Sequence, residues 1–330
     1  MEYLRLHMNE LPWPPPKEVL DSARIGLDEF NRYADESKLD ELKYRLGRYS
    51  RTGEDRIILS AGSDLLLREA VHLFSPLRKT ITLCPSFLPT INSARQTAGS
   101  MTRIRLPLPD FRLDLEILER EIKGPCLLVM DNPNNPTGKT VISPTEVEKL
   151  LQKQDLMVII DEAYYEFSGV TCAELVDRYE NLMVTRTVDK VFSLAGARMG
   201  YGLAGDLFLK ELSSFFIYLP RVTMYAVLAA LENVDIMLER VEIVKEERDR
   251  LLERFLHEGI EAYGTSANFI LIRSSIPDVV DELKKRGILV RDISDQMPPG
   301  FIRVTIGKRE ENGIFFREYL QLSRNRSPSH

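Results

Sequence analysis

The sequence predicts an α/β fold, with a large domain built on a mostly parallel β-sheet and a smaller α+β domain. Between Arg56 and Thr187, short apolar runs typical of buried strands alternate with stretches of helical periodicity. This alternation is typical of βα units, whose strands pair in parallel. Beyond Phe208 the pattern changes to a long charged helix followed by short strands and helices. A chain of 330 residues is also large for one hydrophobic core, which favours two domains.

The first third of the chain begins with a segment that cannot form a regular element. Asn9–Pro16 contains four prolines, which hold the backbone extended and remove amide donors. Trp13 lies among them, and it either packs this segment on the body of the protein or covers a substrate pocket. The elements expected next are helices at Lys17–Phe30 and from Leu39, a strand at Arg56–Leu59, a helix ending at Phe74 and a strand at Thr80–Leu83.

The middle of the chain has the clearest strand and helix signals. Ser143-Pro144-Thr145-Glu146 reads as a helix start, with an N-cap serine, proline at the first helical position and glutamate three residues after the cap. The apolar runs Pro125–Met130, Leu156–Ile160 and Leu182–Thr187 predict buried strands.

The C-terminal part predicts the smaller domain. We expect a helix from about Met224 to His257, strands at Asn268–Ile272, Leu289–Arg291 and Phe301–Thr305, helices at Asp278–Lys285 and Arg309–Leu322, and a disordered tail at Ser323–His330. The expected division is an N-terminal arm and part of the small domain at residues 1–30, the large domain at 31–225 and the small domain at 226–330.

Composition argues against several function classes. The net charge of -6, without a dense Lys/Arg stripe, argues against nucleic-acid binding. No apolar run approaches the ~18 residues of a membrane helix, and the start of the chain lacks a signal-peptide pattern. Three cysteines without paired spacing indicate a reducing cytoplasm, and four scattered histidines predict no metal site.

Polar residues follow two of the predicted strands where each strand ends. Asn135 lies in the turn after the strand that begins at Pro125, and Asp161 directly follows the next one. Ligands of open parallel sheets bind outside the carboxyl ends of the strands, so both side chains are expected at one edge. The same stretch adds a phenol, an amine and a guanidinium from Tyr164, Lys190 and Arg198. Such a set exceeds what a scaffold requires and predicts a functional site.

Two further signals have ordinary structural alternatives. Gly62, Ser63 and Asp64 open a helix, where free backbone N–H groups bind anions, although Ser63 or Asp64 is also a good N-cap. Phe87 follows a strand and either faces a ligand or packs in the core.

Three motifs follow one another between residues 132 and 201. They are Asn-Pro-Asn-Asn-Pro-Thr-Gly at residues 132–138, Asp-Glu-Ala-Tyr at 161–164, and Lys190 followed by Leu-Ala-Gly-Ala-Arg-Met-Gly-Tyr at 194–201. In this order they resemble the fold-type I pyridoxal-phosphate-dependent aminotransferases, especially their histidinol-phosphate aminotransferase branch. Asn9-Glu10 with Pro12, residues 266–269 and residues 303–307 extend the resemblance over nearly the whole chain. It implies a large domain with a seven-stranded, mostly parallel sheet.

The resemblance implies pyridoxal 5′-phosphate as the cofactor, to which the protein supplies attachment, orientation and electrostatics. Lys190 would hold the cofactor covalently and move a proton at the substrate α-carbon. Asp161 would keep the pyridine nitrogen protonated. Asn135 and Tyr164 would hydrogen-bond the phenolic oxygen, and Phe87 would stack on the ring.

The cofactor phosphate would be bound by Arg198 and by the backbone N–H groups of Ser63 and Asp64, beside Gly62. Tyr33 would reach this phosphate from the neighbouring subunit, which implies a homodimer.

One residue departs from the family pattern near the phosphate. Asp189 stands where the family has a small hydroxyl, and a bare carboxylate there would repel the phosphate. We therefore expect Asp189 to turn toward Arg186 or Arg198, and Thr187 or Ser63 to supply the hydroxyl.

Two arginines carry the substrate assignment. Arg303 matches the arginine that binds a substrate α-carboxylate, and Arg291 matches the position that binds the substrate phosphate of the histidinol-phosphate enzymes. Trp13 stands where that branch has a tyrosine, so one hydroxyl is missing.

The resulting hypothesis is a cytoplasmic aminotransferase that moves an amino group between an amino acid or amine and 2-oxoglutarate, with histidinol phosphate as the leading donor. The alternatives are an aminotransferase for aromatic or other amino acids, a lyase resembling threonine-phosphate decarboxylase, and a non-catalytic pyridoxal-phosphate-binding module. The expected partners are small-molecule substrates and a second copy of the chain, without nucleic acid or membrane.

Overall fold

Two β-sheets organise this protein, for which a computed structural model describes residues 3–215 and 217–324. The strands are β1 (Leu4–Leu6), β2 (Ile57–Ser60), β3 (Lys79–Cys84), β4 (Ser100–Arg105), β5 (Cys126–Asp131), β6 (Leu156–Asp161), β7 (Leu182–Thr187), β8 (Gly200–Ala204), β9 (Ala262–Tyr263), β10 (Phe269–Arg273), β11 (Ile288–Asp292) and β12 (Phe301–Thr305). The larger sheet has the order β2-β8-β7-β6-β5-β3-β4, and the smaller sheet has the order β1-β11-β12-β10-β9.

Helices connect and cover these strands. They are α1 (Lys17–Asp28), α2 (Glu36–Ser50), α3 (Ser63–Phe74), α4 (Leu88–Thr97), α5 (Leu115–Glu121), α6 (Pro144–Leu151), α7 (Tyr165–Ser168), α8 (Asp206–Glu211), α9 (Arg221–Glu232), α10 (Val234–His257), α11 (Val279–Lys285) and α12 (Arg309–Arg324).

The larger sheet confirms the predicted α/β fold with mostly parallel strands. β4, β3, β5, β6 and β7 pair in parallel, whereas β8 is antiparallel to β7 and β2 and was not predicted. Every residue of β5, β6 and β7 is buried, which explains the apolar runs with which the three strands begin; their polar residues come at the carboxyl ends. Alternate residues pack into two separate core clusters, with Leu128, Val158 and Val184 in one and Val129, Ile159 and Met183 in the other.

The single helix predicted from Met224 to His257 is wrong. The chain forms two helices, α9 and α10, which meet at Asn233. The backbone of Asn233 leaves the helical region, at φ -112° and ψ 32°, and its side-chain Nδ2 donates to Ala229 O at 2.8 Å. Asparagine has a low helix propensity because such local side-chain hydrogen bonds compete with the helix.

Other predicted boundaries differ by a few residues. The first helix ends at Asp28 rather than Phe30, and the second begins at Glu36, behind the N-cap Asp35, rather than at Leu39. The helix start at Ser143 is confirmed, with both hydrogen bonds of a capping box. In the predicted tail, residues 323 and 324 belong to α12, and 325–330 lie outside the described residues.

The N-terminus joins the smaller sheet. β1 pairs in parallel with β11, so Leu4 lies opposite Ile288. The following residues, 7–16, form an arm segment, which is fixed where the Asn9 N–H donates to Thr305 Oγ1 at 2.9 Å. The domain boundaries near residues 30 and 225 remain predictions.

Gly200 brings the start of β8 against the start of α3. A Cβ built on Gly200 would lie 2.2 Å from Ser63 N and 2.7 Å from Gly62 C. Both neighbours are backbone atoms, so no change of rotamer could make room for a side chain.

We expect Gly200→Ala to lower the free energy of unfolding by roughly 1–3 kcal/mol, the usual cost of overpacking. Gly196→Ala is the matched control, because a Cβ there has no heavy atom of the described structure within 4 Å. Its effect should stay within about 0.5 kcal/mol. Urea unfolding followed by circular dichroism measures both variants, and equal midpoints would contradict the close packing.

Candidate active site

A cavity of about 330 Å³ lies at the carboxyl ends of β5 and β6. The large sheet contributes Asp131 and Asp161 to its wall, while the smaller sheet contributes Arg291 and Arg303. The arm segment adds residues 7–9. Residues from both ends and the middle of the chain therefore meet at the sheet edge where a site was predicted.

Asp131 and Asp161 are in-register partners in the β5–β6 pair, so two buried acidic residues lie side by side on neighbouring strands. Burial raises the pKa of Asp161 to about 7, and the charge of Asp131 adds to the increase. A hydrogen bond from Thr185 Oγ1, at 3.0 Å, opposes it. Burial also raises the pKa of Asp131 to about 6, against hydrogen bonds from Ser86 Oγ and the Asn135 N–H. This end of the sheet favours a bound cation.

Lys190 and Tyr164 face the cavity, and both contact the arm segment. Lys190 Nζ donates to Met8 O at 3.3 Å, and the Tyr164 hydroxyl accepts a hydrogen bond from Asn9 Nδ2 at 2.8 Å. The Tyr164 ring packs edge-on against Phe269, with 5.5 Å between ring centroids. Two distant parts of the chain, the arm segment and β10, thus orient the phenol.

Arg198 binds two carboxylates beside the N-terminus of α3. Its Nη2 donates to Asp64 Oδ1 at 2.8 Å, and its Nη1 donates to Asp189 Oδ2. Asp189 therefore pairs with one of the two arginines expected for it, whereas Arg186 pairs elsewhere. Burial raises the pKa of Asp189, and the neighbouring positive charges oppose that shift.

Gly62 and Thr187 complete this part of the site. Gly62 has φ +97°, and a Cβ there would lie 2.6 Å from Arg198 Nη2, so glycine lets the backbone pass the guanidinium. Thr187 Oγ1 accepts from the Asp189 N–H at 3.1 Å and donates to Met199 O at 3.3 Å. The helix start, the Arg198 guanidinium and the Ser63 hydroxyl form a cradle with donors for an anion, whereas the Thr187 hydroxyl already donates to Met199 O.

The smaller sheet places two arginines side by side at the cavity. Arg303 Nη1 donates to Asn135 Oδ1 at 2.6 Å, and its Nη2 donates to His7 O at 2.9 Å. Within the described part of the chain, the buried Arg303 Nε has no hydrogen-bond partner. Arg291 is the cross-strand partner of Arg303. Burial lowers the pKa of Arg303, and the charge of Arg291 acts in the same direction.

Most residues predicted from the sequence line this one cavity. They are Ser63, Asp64, Phe87, Asn135, Asp161, Tyr164, Thr187, Lys190, Arg198, Arg291 and Arg303. The other three, Gly62, Trp13 and Tyr33, are not among the described residues that line it. Tyr33 is 76% exposed and packs on Tyr218, with 4.6 Å between ring centroids, while Trp13 is half-buried against the core. The roles assigned to these residues remain predictions.

Sequence reasoning missed several residues of the cavity and its surroundings. Asp131 and Thr185 had a usable signal, because parallel register places them beside Asp161. Asp295 and Gln296 had none, because they follow β11 and reach the cavity only through the tertiary fold. Gln296 Oε1 accepts a hydrogen bond from the Ser86 N–H at 3.0 Å, which fixes its segment over the large sheet.

The donor set suits pyridoxal phosphate. Asp161 offers a carboxylate for a pyridine nitrogen, Lys190 offers an amine for the aldehyde, and Arg198 with the start of α3 offers donors for the phosphate. The volume of about 330 Å³ is sufficient for a small cofactor.

Across residues 3–215 and 217–324, no helix has the length and apolar character needed to cross a bilayer. Within the same ranges, no group of three or more His, Cys, Asp or Glu side chains is arranged to hold a metal ion.

Solved structures share this fold. A putative histidinol-phosphate aminotransferase from Erwinia carotovora atroseptica superposes with a TM-score of 0.89 at 21% identity, covering 98% of this chain and 96% of that chain. The histidinol-phosphate aminotransferase from Sinorhizobium meliloti in complex with pyridoxal-5′-phosphate gives 0.87 at 23% identity, covering 98% and 91%.

Sequence comparison identifies the family. The histidinol-phosphate aminotransferase of Sulfurisphaera tokodaii is 32% identical, with 93% of this chain and 87% of the relative covered. That of Thermococcus gammatolerans is 34% identical, with 97% and 92% covered. The sequence model of aminotransferase class I and II matches residues 2–317. The chain therefore belongs to the aminotransferase class I and II family and is a pyridoxal-phosphate-dependent aminotransferase.

Proposed function

We propose that this enzyme transfers the amino group of histidinol phosphate to 2-oxoglutarate, as a homodimer in the cytoplasm. The observation that carries the substrate assignment is the cross-strand pair of Arg291 and Arg303, both of which line the cavity. Like charges directly opposite each other in a sheet are destabilising, so an anion between them is favoured. The phosphate of histidinol phosphate and the carboxylates of glutamate are such anions. The sequence relatives reported above carry the name of this activity.

The two arginines differ in their surroundings, which supports different roles. Arg303 is buried and held by a side-chain amide and a backbone carbonyl, both neutral acceptors. Its full positive charge is therefore available to the anionic group nearest the cofactor, which is the phosphate of histidinol phosphate or the α-carboxylate of an amino acid. Arg291 lies in an exposed part of β11 and also lines the cavity, where it would share that phosphate or bind a side-chain carboxylate.

Four residues of the cavity would have separate roles in the transfer of the amino group. Bound pyridoxal phosphate supplies an electron sink for charge that develops at the substrate α-carbon. Lys190 removes and returns the proton at that carbon, a step worth roughly 10²–10⁴-fold. Asp161 holds the pyridine nitrogen in its protonated form, and its raised pKa reflects the burial that such a cation would offset. Asn135 and Tyr164 orient the phenolic oxygen.

The substrate assignment is tested by single-turnover mixing of the cofactor-loaded enzyme with histidinol phosphate, phenylalanine, aspartate and threonine phosphate in turn. We expect the visible band of the cofactor to disappear fastest with histidinol phosphate, with formation of the aminated cofactor. Faster reaction with phenylalanine or aspartate would contradict the donor. Release of carbon dioxide from threonine phosphate would instead identify a lyase.

The arginine roles predict different substrate profiles for two variants. Arg303→Ala should lower kcat/KM for all donors, and Arg291→Ala should lower it only for phosphorylated or acidic donors. A charge-assisted hydrogen bond contributes about 1.5–3 kcal/mol, so kcat/KM should fall roughly ten- to hundredfold. Arg273→Ala is the matched control, because Arg273 lies in the same sheet, pairs with Glu261 and does not line the cavity. Equal losses for phosphorylated and neutral donors in both variants would refute the division.

The homodimer is supported by exposed apolar side chains around Tyr33. Ile25, Leu27 and Phe30 are 54%, 52% and 73% exposed, and Tyr33 itself lies against Tyr218. Large apolar side chains left exposed within one short segment favour an interaction surface there. In a dimer, this segment would carry Tyr33 to the phosphate cradle of the second subunit.

A complementation experiment tests the shared site. Lys190→Ala and Tyr33→Ala should each be poorly active as homodimers. Co-expression should restore roughly a quarter of the wild-type activity, since half of the dimers are mixed and one of the two sites in each is intact. A mixture whose activity equals the mean of the two parents would show that Tyr33 acts within its own subunit.

A further inference from the structure

Behind the candidate active site lies a buried ion pair that the proposed chemistry does not use. The side chains of Glu162 and Arg186 are 1% and 3% exposed. Arg186 donates to Glu162 Oε2 through Nη2 at 2.9 Å and through Nε at 3.1 Å. Burying two charges is costly unless their remaining polar atoms also have partners.

Those remaining partners are present. The Glu162 carboxylate accepts hydrogen bonds from Thr171 Oγ1 at 2.7 Å and from the Cys172 N–H. The Arg186 guanidinium lies 3.5 Å from the centroid of the Tyr165 ring, a cation–π contact. This network holds both side chains in one arrangement.

Strand register connects the ion pair to Asp161. Asp161 and Thr185 are partners in the β6–β7 pair, and Glu162 and Arg186 are the next residues in each chain segment. Thr185 bonds to both acidic residues, because its Oγ1 donates to Asp161 Oδ1 at 3.0 Å and its carbonyl accepts from the Glu162 N–H at 2.8 Å. Successive side chains of extended backbone point to opposite faces. Asp161 therefore faces the cavity, while Glu162 and Arg186 join the two strand ends behind it.

We propose that the Glu162–Arg186 pair is a positioning element for the aminotransferase reaction. It holds the ends of β6 and β7 together so that Thr185 orients the Asp161 carboxylate, and Arg186 neutralises Glu162 so that Asp161 stays ionised. The inference rests on the proposed role of Asp161 toward the pyridine nitrogen.

The charged groups around Asp161 determine how easily it ionises. Burial is the main cause of its raised pKa, and the negative charges of Asp131 and Glu162 raise it further. Arg186 is the cation bound directly to Glu162, so it offsets one of these two charges. The other titratable groups are unchanged in every variant considered below. Glu166, Tyr165 and Tyr201 act on Arg186, and Tyr164, Asp189, Lys190 and Arg198 line the cavity.

Opposite charge changes should shift the ionisation of Asp161 in opposite directions. Arg186→Met leaves the Glu162 charge without compensation, so the pH below which pyridoxal phosphate affinity falls should move up. Glu162→Gln leaves the arginine charge, so this pH should move down. A shift of the transition by one pH unit corresponds to about a tenfold change in pyridoxal phosphate affinity at a fixed pH within the transition. The double variant is neutral and should return near the wild-type value.

The experiment measures the dissociation constant of pyridoxal phosphate between pH 5 and pH 9 by equilibrium dialysis, with the thermal unfolding of the cofactor-free protein as a second readout. The cofactor's own titrations are the same for all variants and cancel in the comparison. Arg178→Met is the matched control, because Arg178 pairs with Glu148 at the surface, and its pH profile should not move. Arg186→Lys retains the charge and should stay closer to wild type than Arg186→Met.

The outcomes separate positioning from a purely structural role. Opposite shifts that cancel in the double variant support the proposal, whatever the unfolding temperatures. Unchanged profiles, or shifts of the same sign, overturn it and leave the pair as a structural element. If Arg186→Met does not fold, Glu162→Gln and the double variant decide. Asp161→Asn tests separately whether Asp161 acts on the pyridine nitrogen, because an unaltered pH profile in that variant would refute the role of Asp161 itself.

Discussion

The parallel register of β5, β6 and β7 is the constraint on which the rest of the structure depends. It aligns Asp131 with Asp161 and Asp161 with Thr185, so three strand ends present polar groups at one edge of a buried sheet. The interior cannot hold these carboxylates without donors, and Ser86, the Asn135 N–H and Thr185 supply them. The turn after β5 and the loop before α4 are fixed by the same hydrogen bonds that satisfy the acids.

Charge is distributed unevenly across the cavity, and this distribution gives its two ends different chemistry. Arg198 is bound by the carboxylates of Asp64 and Asp189. Arg303 is bound by neutral acceptors and lies beside Arg291. The end of the cavity at Arg291 and Arg303 therefore carries more net positive charge from its arginines than the end at Arg198. An anionic substrate group is expected at the Arg291 and Arg303 end, whereas the Arg198 end combines one guanidinium with the N–H groups of a helix start.

The sequence was sufficient for features set by local pattern and insufficient for those set by tertiary contacts. Asp161 and Asn135 were found because apolar runs mark strands and parallel sheets collect ligands at the strand ends. The family motifs identified Lys190, Arg198 and the arginine pair. The break at Asn233 was missed because helical periodicity continues across it. The antiparallel strand β8 was missed because it contains glycines, which have a low strand propensity. These glycines are required by the close packing of β8 against α3, which the sequence does not show.

The attachment of the N-terminus to the smaller sheet has a consequence for biosynthesis. Met8, Asn9 and the His7 carbonyl contact Lys190, Tyr164 and Arg303, yet the segment is fixed by pairing of β1 with β11 and by Thr305. Its partners lie up to 296 residues later in the chain. On the ribosome, residues 7–9 are made before β11 and β12 and cannot pair until those strands have emerged. Contacts of such sequence separation form slowly. The candidate active site is therefore complete only after β11 and β12 have been translated, and a chain that stops before them lacks the partners that fix the arm segment.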